Sequence, residues 1–354
     1  MLQVQKTFDE DIEHSARKLG FQRLCFTLIC LIFLGCLSVK PAMKEKIKGM
    51  ALESPAKKMD ASPLIEMKEM GCDYICIMPY SFMEDLESTK IRYDVSWQWW
   101  GELSEGVTEI INMTHEQGMK VMLKPHLWIG DGSYTGLISI PEGDKRDSWE
   151  SEYSDYILHY AAIAEKGKAE IFCIGTELCG MVKADQAYWE SLIVEVKNIY
   201  SGKLTYAANW DTFKEFPWKS GMDYVGIDAY FPLTKENVPI LAQVKKGWEP
   251  WKEQLSSYSD SIKMPILFTE IGYRSVDYAL KEPWEQAKGG TVSNDTQTMA
   301  YEAFFHEVWN EPWLAGAFIW KWHTDSHLER KDETRFTPQG KPAMEVLKQE
   351  FLKR

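Results

Sequence analysis

Ile171-Phe172-Cys173-Ile174-Gly175-Thr176-Glu177 is an apolar run, too short for a helix, that stops abruptly on a carboxylate. Runs of this length bounded by polar residues read as buried strands. Seven others share its character: Gly49-Met50-Ala51-Leu52, Tyr74-Ile75-Cys76-Ile77-Met78, Lys120-Val121-Met122-Leu123-Lys124, Leu204-Thr205-Tyr206-Ala207-Ala208, Tyr224-Val225-Gly226-Ile227, Ile266-Leu267-Phe268-Thr269 and Ala317-Phe318-Ile319-Trp320. Between them, Pro63–Met70, Gly106–Gln117, Glu152–Glu165 and Ala187–Tyr200 place apolar residues at helical spacing, and Gly71, Gly118 and Gly202 fall where such helices should stop. Apolar strands alternating with helices specify a parallel sheet covered on both faces, and eight such units specify a closed (β/α)8 TIM barrel. An open doubly wound sheet is the alternative, but no Gly-rich nucleotide turn follows any strand.

The chain has 354 residues, 45% of them hydrophobic, enough for one large core. Its net charge of −13 is spread along the sequence, which repels polyanions and argues against nucleic-acid binding. The long apolar run Leu24–Leu37 follows Arg17, Lys18 and Arg23, the basic-then-apolar layout of an export signal, and is short for a membrane span. Phe33-Leu34-Gly35-Cys36 resembles a bacterial lipoprotein cleavage box in which Cys36 would be lipidated. A cleaved signal peptide, a lipoprotein signal and a retained anchor stay open. Each places the folded part outside the cytoplasm, membrane-anchored or secreted. The division expected is therefore a polar and basic lead at 1–23, a hydrophobic segment at 24–39, a linker at 40–47 and the barrel at 48–354.

Of seven Cys, Cys25, Cys30 and Cys36 lie in the apolar segment. Cys72 and Cys76, four apart in one predicted strand, are expected on the same face as buried free thiols, too far apart to bond. Cys173 and Cys179 complete the set, and no Cys/His spacing resembles a zinc site. His323 and Asp325 hint at a metal but have no third ligand at suitable spacing, so neither metal nor cofactor is expected.

Barrel active sites lie at the C-terminal strand ends. Those ends read Pro79-Tyr80, Pro125-His126-Leu127-Trp128, Gly175-Thr176-Glu177, Asn209-Trp210, Asp228-Ala229-Tyr230, Glu270-Ile271-Gly272-Tyr273 and Lys321-Trp322-His323-Thr324-Asp325. Such a ring of carboxylates, aromatics, His and Asn suits a neutral polyol. A carboxylate ending an apolar strand is costly unless it works or is salt-bridged. Glu177 and Glu270 could each cap a helix or pair with Lys124 or Arg274; as two, on predicted strands four and seven, they read as a catalytic pair. Carboxyls about 5–5.5 Å apart support double displacement at a glycosidic bond. Trp320 and Trp322 stand two residues apart at the end of strand eight, and one of the pair is expected to meet sugar. Asp228 either binds substrate or pairs with a barrel Lys or Arg, and Trp97, Trp99 and Trp100 form either an outlying subsite or a packed loop.

Glu at the ends of strands four and seven resembles the arrangement of the large clan A of retaining barrel glycosidases. Within it Ile174-Gly175-Thr176-Glu177-Leu178, Phe268-Thr269-Glu270-Ile271-Gly272-Tyr273 and Phe318-Ile319-Trp320-Lys321-Trp322 are similar to glycoside hydrolase family 113, the endo-β-1,4-mannanases, over roughly Lys48 to Phe351. The resemblance implies that Glu177 is the acid/base and Glu270 the nucleophile, acting on β-1,4-mannan or glucomannan. It also implies that His126, Asn209 and Tyr230 serve the sugar subsite, with Tyr230 orienting the nucleophile. Trp128, Trp210, Tyr273, Trp320 and Trp322 join them as candidate substrate contacts. Thr176 stands where most clan members carry Asn against the substrate 2-hydroxyl. The same chemistry on a glucan, galactan or amino-sugar polymer, or a glycan-binding barrel without turnover, are the rival readings. Loops Ser133–Trp149 and Lys281–Asp295 would decide between endo and exo action.

Overall fold

Side chains that alternate between two faces give the barrel strands an inward and an outward row, both buried. Cys76, Met122, Leu267 and Phe318 meet inside a barrel, while Ile75, Ile77, Val121 and Leu123 pack outward under helices. The computed structural model describes residues 45–285, 289–324 and 334–353; the apolar segment at 24–39, with Cys36, and Asp325 lie outside them. Among the described residues no helix is long and apolar enough to cross a membrane.

The barrel strands are β1 (Ile47–Leu52), β2 (Tyr74–Ile77), β4 (Lys120–Leu123), β6 (Ile171–Thr176), β7 (Lys203–Asn209), β8 (Val225–Asp228), β9 (Ile266–Ile271) and β10 (Leu314–Trp322). They close in the order β1-β10-β9-β8-β7-β6-β4-β2, parallel at each described pairing. Predicted strands four, seven and eight are thus β6, β9 and β10. The helices are α1 (Ser62–Glu69), α2 (Ser104–Glu116), α3 (Asp144–Gly167), α4 (Cys179–Ala184), α5 (Gln186–Ile199), α6 (Leu241–Gly247), α7 (Glu249–Ile262), α8 (Asn294–Glu307) and α9 (Pro342–Leu352). Asp185 caps α5 by accepting from the Tyr188 amide at 3.0 Å, and Ser293 caps α8 by accepting from Thr296 at 3.2 Å. Left-handed Gly71 and Gly118 end α1 and α2 as expected. Gly202 does not take that conformation; a Cβ there would meet the Tyr200 hydroxyl at 2.2 Å.

Two features depart from the expected barrel. Cys72 precedes β2 and packs in the outer shell while Cys76 faces the barrel interior, so the two thiols do not share a face. More consequentially, β2 and β4 continue past Pro79 and Pro125 as β3 (Tyr80–Met83) and β5 (His126–Ile129), a separate two-stranded parallel sheet. A proline has no N–H for the ladder. Both strands lose a donor at the same level and leave the barrel together, joined by His126 N–H donating to the Pro79 carbonyl at 2.9 Å. The pair forms one wall of the cleft.

Candidate active site

Inward positions at the top of the barrel switch from apolar to polar. Lys124, two residues beyond inward Met122, is fully buried, with its ammonium 3.2 and 3.3 Å from the Asp228 oxygens and ion-paired to Glu270. Asp228 also accepts from the Thr269 hydroxyl at 2.8 Å. Burial alone would lower the Lys124 pKa, but the charges of Asp228 and Glu270 outweigh it and hold the ammonium protonated. Burial, then the charge of Glu270, push Asp228 upward against Lys124 and Thr269.

Glu270, on β9, is 5% exposed and receives the Tyr230 hydroxyl on its other oxygen at 2.6 Å. Burial and that same carboxylate raise the Tyr230 phenol well above its ordinary range, so it stays a donor. His126 sits beside them with Nε2 3.8 Å from Glu270 and no hydrogen-bond partner among the described residues. Burial, then Lys124 and Lys321, lower its pKa far enough to keep the imidazole neutral. Its ring stacks on Trp320 at 6.0 Å, and the Trp320–Lys321 peptide is cis.

Glu177 is set differently. It follows β6 with φ of 52°, a left-handed conformation that costs a residue with a Cβ about 1–2 kcal/mol. Its amide donates to the Ala207 carbonyl at 2.8 Å, and the next amide, of Leu178, donates to the Tyr206 hydroxyl at 2.7 Å. Gly175 permits this packing, since a Cβ there would stand 2.6 Å from the Tyr153 hydroxyl. Glu177 makes no ion pair with a described residue. Desolvation, then the fields of Asp228 and Glu270, push its carboxyl well above the usual range. Two carboxyl groups in one cleft are thus held in opposite settings, one bonded to a cation and a phenol, the other inclined to keep its proton.

The cleft, about 680 Å³, is lined by Tyr80, His126, Trp128, Tyr134, Thr176, Glu177, Asn209, Tyr230, Glu270, Trp284, Trp320 and Phe336 among others. Of the residues singled out in the sequence, His126, Trp128, Thr176, Glu177, Asn209, Tyr230, Glu270 and Trp320 line this cleft. Four candidates stand off it. Asp228 is fully buried against Lys124. Tyr273 is buried edge-on to Tyr301 of α8. Trp322, two residues beyond Trp320, would share its face in a regular strand, but β10 carries an extra residue between Ile319 and Trp322 opposite Met50 and Leu52, and Trp322 packs in the outer shell. Trp210 lies behind Trp284, stacked on it at 5.2 Å, and so supports a cleft residue without lining the cleft. Lys124 was legible only as a salt-bridge partner. Tyr134 and Trp284 sit in the two loops flagged for endo or exo action, with Tyr134 near enough to Glu177 for that charge to raise its phenol further after burial. Among the described residues no group of three His, Cys, Asp or Glu is arranged to hold a metal.

A closed parallel barrel carrying this cleft belongs to the glycoside hydrolases of (β/α)8 architecture, enzymes whose substrate is a carbohydrate. The chain matches the model of Glycoside Hydrolase Family 113 over residues 53–341 and belongs to that family. Its fold is similar to that of a family 113 β-mannanase from Alicyclobacillus acidocaldarius in complex with ManMIm: 24% identity, 86% of this chain and 97% of that one covered, TM-score 0.76. A second family 113 β-1,4-mannanase gives 23% identity, 88% and 100% coverage and a TM-score of 0.77. A family 5 mannosidase from Rhizomucor miehei is more distant, at 11% identity, 88% and 94% coverage and 0.61. No curated protein matches the chain.

Proposed function

We propose that the enzyme cleaves β-1,4-linked mannan or glucomannan with retention of configuration, Glu270 acting as nucleophile and Glu177 as acid/base. The opposite settings of the two carboxyls in one cleft carry this reading. Glu270 attacks the anomeric carbon as the glycosidic C–O bond breaks, and Glu177 passes its proton to the departing oxygen. Water then attacks the glycosyl-enzyme ester, Glu177 takes back a proton, and Glu270 leaves as carboxylate. Lys124 and Tyr230 hold Glu270 in place. The Thr176 hydroxyl and His126 Nε2, both without a hydrogen-bond partner among the described residues, are available to sugar hydroxyls.

The substrate assignment draws on the solved neighbours, which are named as β-mannanases. Thr176 beside the acid/base supports a second reading, the same chemistry on another β-glycan. Incubation with mannan, glucomannan, xylan and cello-oligosaccharides tests both. Hydrolysis of the manno polymers, abolished in Glu270→Gln with binding retained, is expected. Preference for xylan or cellulose would refute the substrate, and binding without turnover by the parent would refute the enzyme mechanism.

A further inference from the structure

Beyond the cleft, one face of the β3–β5 sheet continues as a row of rings. Ser81, Met83, Leu127 and Ile129 are buried beneath it, whereas Tyr80, Phe82, His126 and Trp128 share the opposite face, with Tyr80 registered against His126 and Phe82 against Trp128. The row starts beside the nucleophile at His126, passes Tyr80 at 5.1 Å and Trp128, 51% exposed, and reaches Phe82 two residues further along the strand, about 7 Å on. There Trp97 packs edge-on to Phe82 at 4.9 Å and remains 56% exposed. Phe82 and Trp97 lie outside the cleft already described.

The Trp97 segment is built, not loose. Phe82 and Arg92 exchange both backbone hydrogen bonds at 2.9 Å. The buried Gln98 side chain donates to the Tyr80 carbonyl at 2.6 Å and accepts from the Val95 amide at 2.9 Å. The ring next to it therefore stands more than half exposed at the end of a hydrogen-bonded frame, where it prolongs the aromatic row. Its continuity with the cleft identifies the occupant: apolar sugar faces of the same glycan chain stack on such rings as the chain leaves the catalytic centre.

We propose that Phe82 and Trp97 form a distal binding subsite for a β-linked glycan, engaged only by substrates long enough to run along the β3–β5 face. The inference rests on the glycan-cleaving reading of the cleft but not on which glycan it is. The test has two parts: electrophoresis of the parent, Trp97→Ala and Trp97→Phe through gels containing soluble galactomannan, glucomannan or hydroxyethyl cellulose, and kcat/KM on manno-oligosaccharides of rising length. Trp97→Ala is expected to lose retardation and about three- to tenfold in kcat/KM on the longest substrates only, with Trp97→Phe retaining most of both. Equal loss at every length, or no change in retardation or in long-chain turnover, overturns the subsite. Retardation by cellulose alone that depends on Trp97, with manno-oligosaccharides untouched by the parent, refutes the mannan assignment and upholds the subsite.

Discussion

One buried cation, Lys124, ties two carboxyl groups of the site together. Lys124 faces two carboxylates, so removing its charge leaves both in a low-dielectric interior. Lys124→Met is expected to destabilise the fold by about 3–5 kcal/mol in urea denaturation, because an uncompensated buried charge is among the costliest single defects. A loss under 1 kcal/mol would show that the Lys124 ion pairs contribute little to the fold. Glu177 makes the complementary case. With Glu177 as the proposed acid, its raised pKa keeps the protonated form below that pKa and loses it as pH rises through it, so the alkaline limb of kcat/KM is expected well above the ordinary carboxylate range. In Glu177→Gln that limb should vanish, with kcat on unactivated glycan down by about 10²–10⁴. An unchanged limb would assign it to another group. The sequence marked both glutamates because a carboxylate ending an apolar strand stands out. It left Lys124 ambiguous because a lysine at a strand end is ordinarily solvated, and only its inward register shows otherwise.

At the scale of elements, the eight barrel strands and four of the helices were legible from alternation and periodicity alone. The β3–β5 extension was not. Pro79 and Pro125 read as strand terminators, and nothing local shows that two terminated strands will resume side by side. The same limit explains the misplaced rings: Trp210, Tyr273 and Trp322 sit at strand ends as cleft residues do, and only local bends and helix packing decide which way each faces. Gly175 shows how tightly the β6 end is specified. In Gly175→Ala the new methyl meets the Tyr153 hydroxyl and the Tyr206 ring, so the Glu177 turn must shift. A fall in kcat/KM of about a hundredfold with retained circular dichroism is expected, since displacement by an ångström is enough for that loss. Unaltered kinetics would mean that the turn tolerates the displacement.

For the whole molecule, barrel closure brings the first strand against the last. Glu53, just past β1, accepts from Lys321 on β10 at 2.6 Å and binds the His323 ring. Burial alone would raise its pKa, but the His323 hydrogen bond and the Lys321 charge overcome this and draw it down from 4.5 to about 2. A depressed carboxyl stabilises the fold above its unfolded pKa and ceases to do so as pH falls through its folded one. The melting temperature of Glu53→Gln should therefore trail the parent at pH 6 and converge on it as pH drops from 4.5 toward 2; a gap independent of pH would exclude the ion pair as its source. The mechanism itself is tested by the stereochemistry of the product. Proton NMR of β-1,4-manno-oligosaccharide hydrolysis, followed from the first minute, should show the β-anomer of the new reducing end before mutarotation. Initial appearance of the α-anomer would contradict double displacement by Glu270 and Glu177.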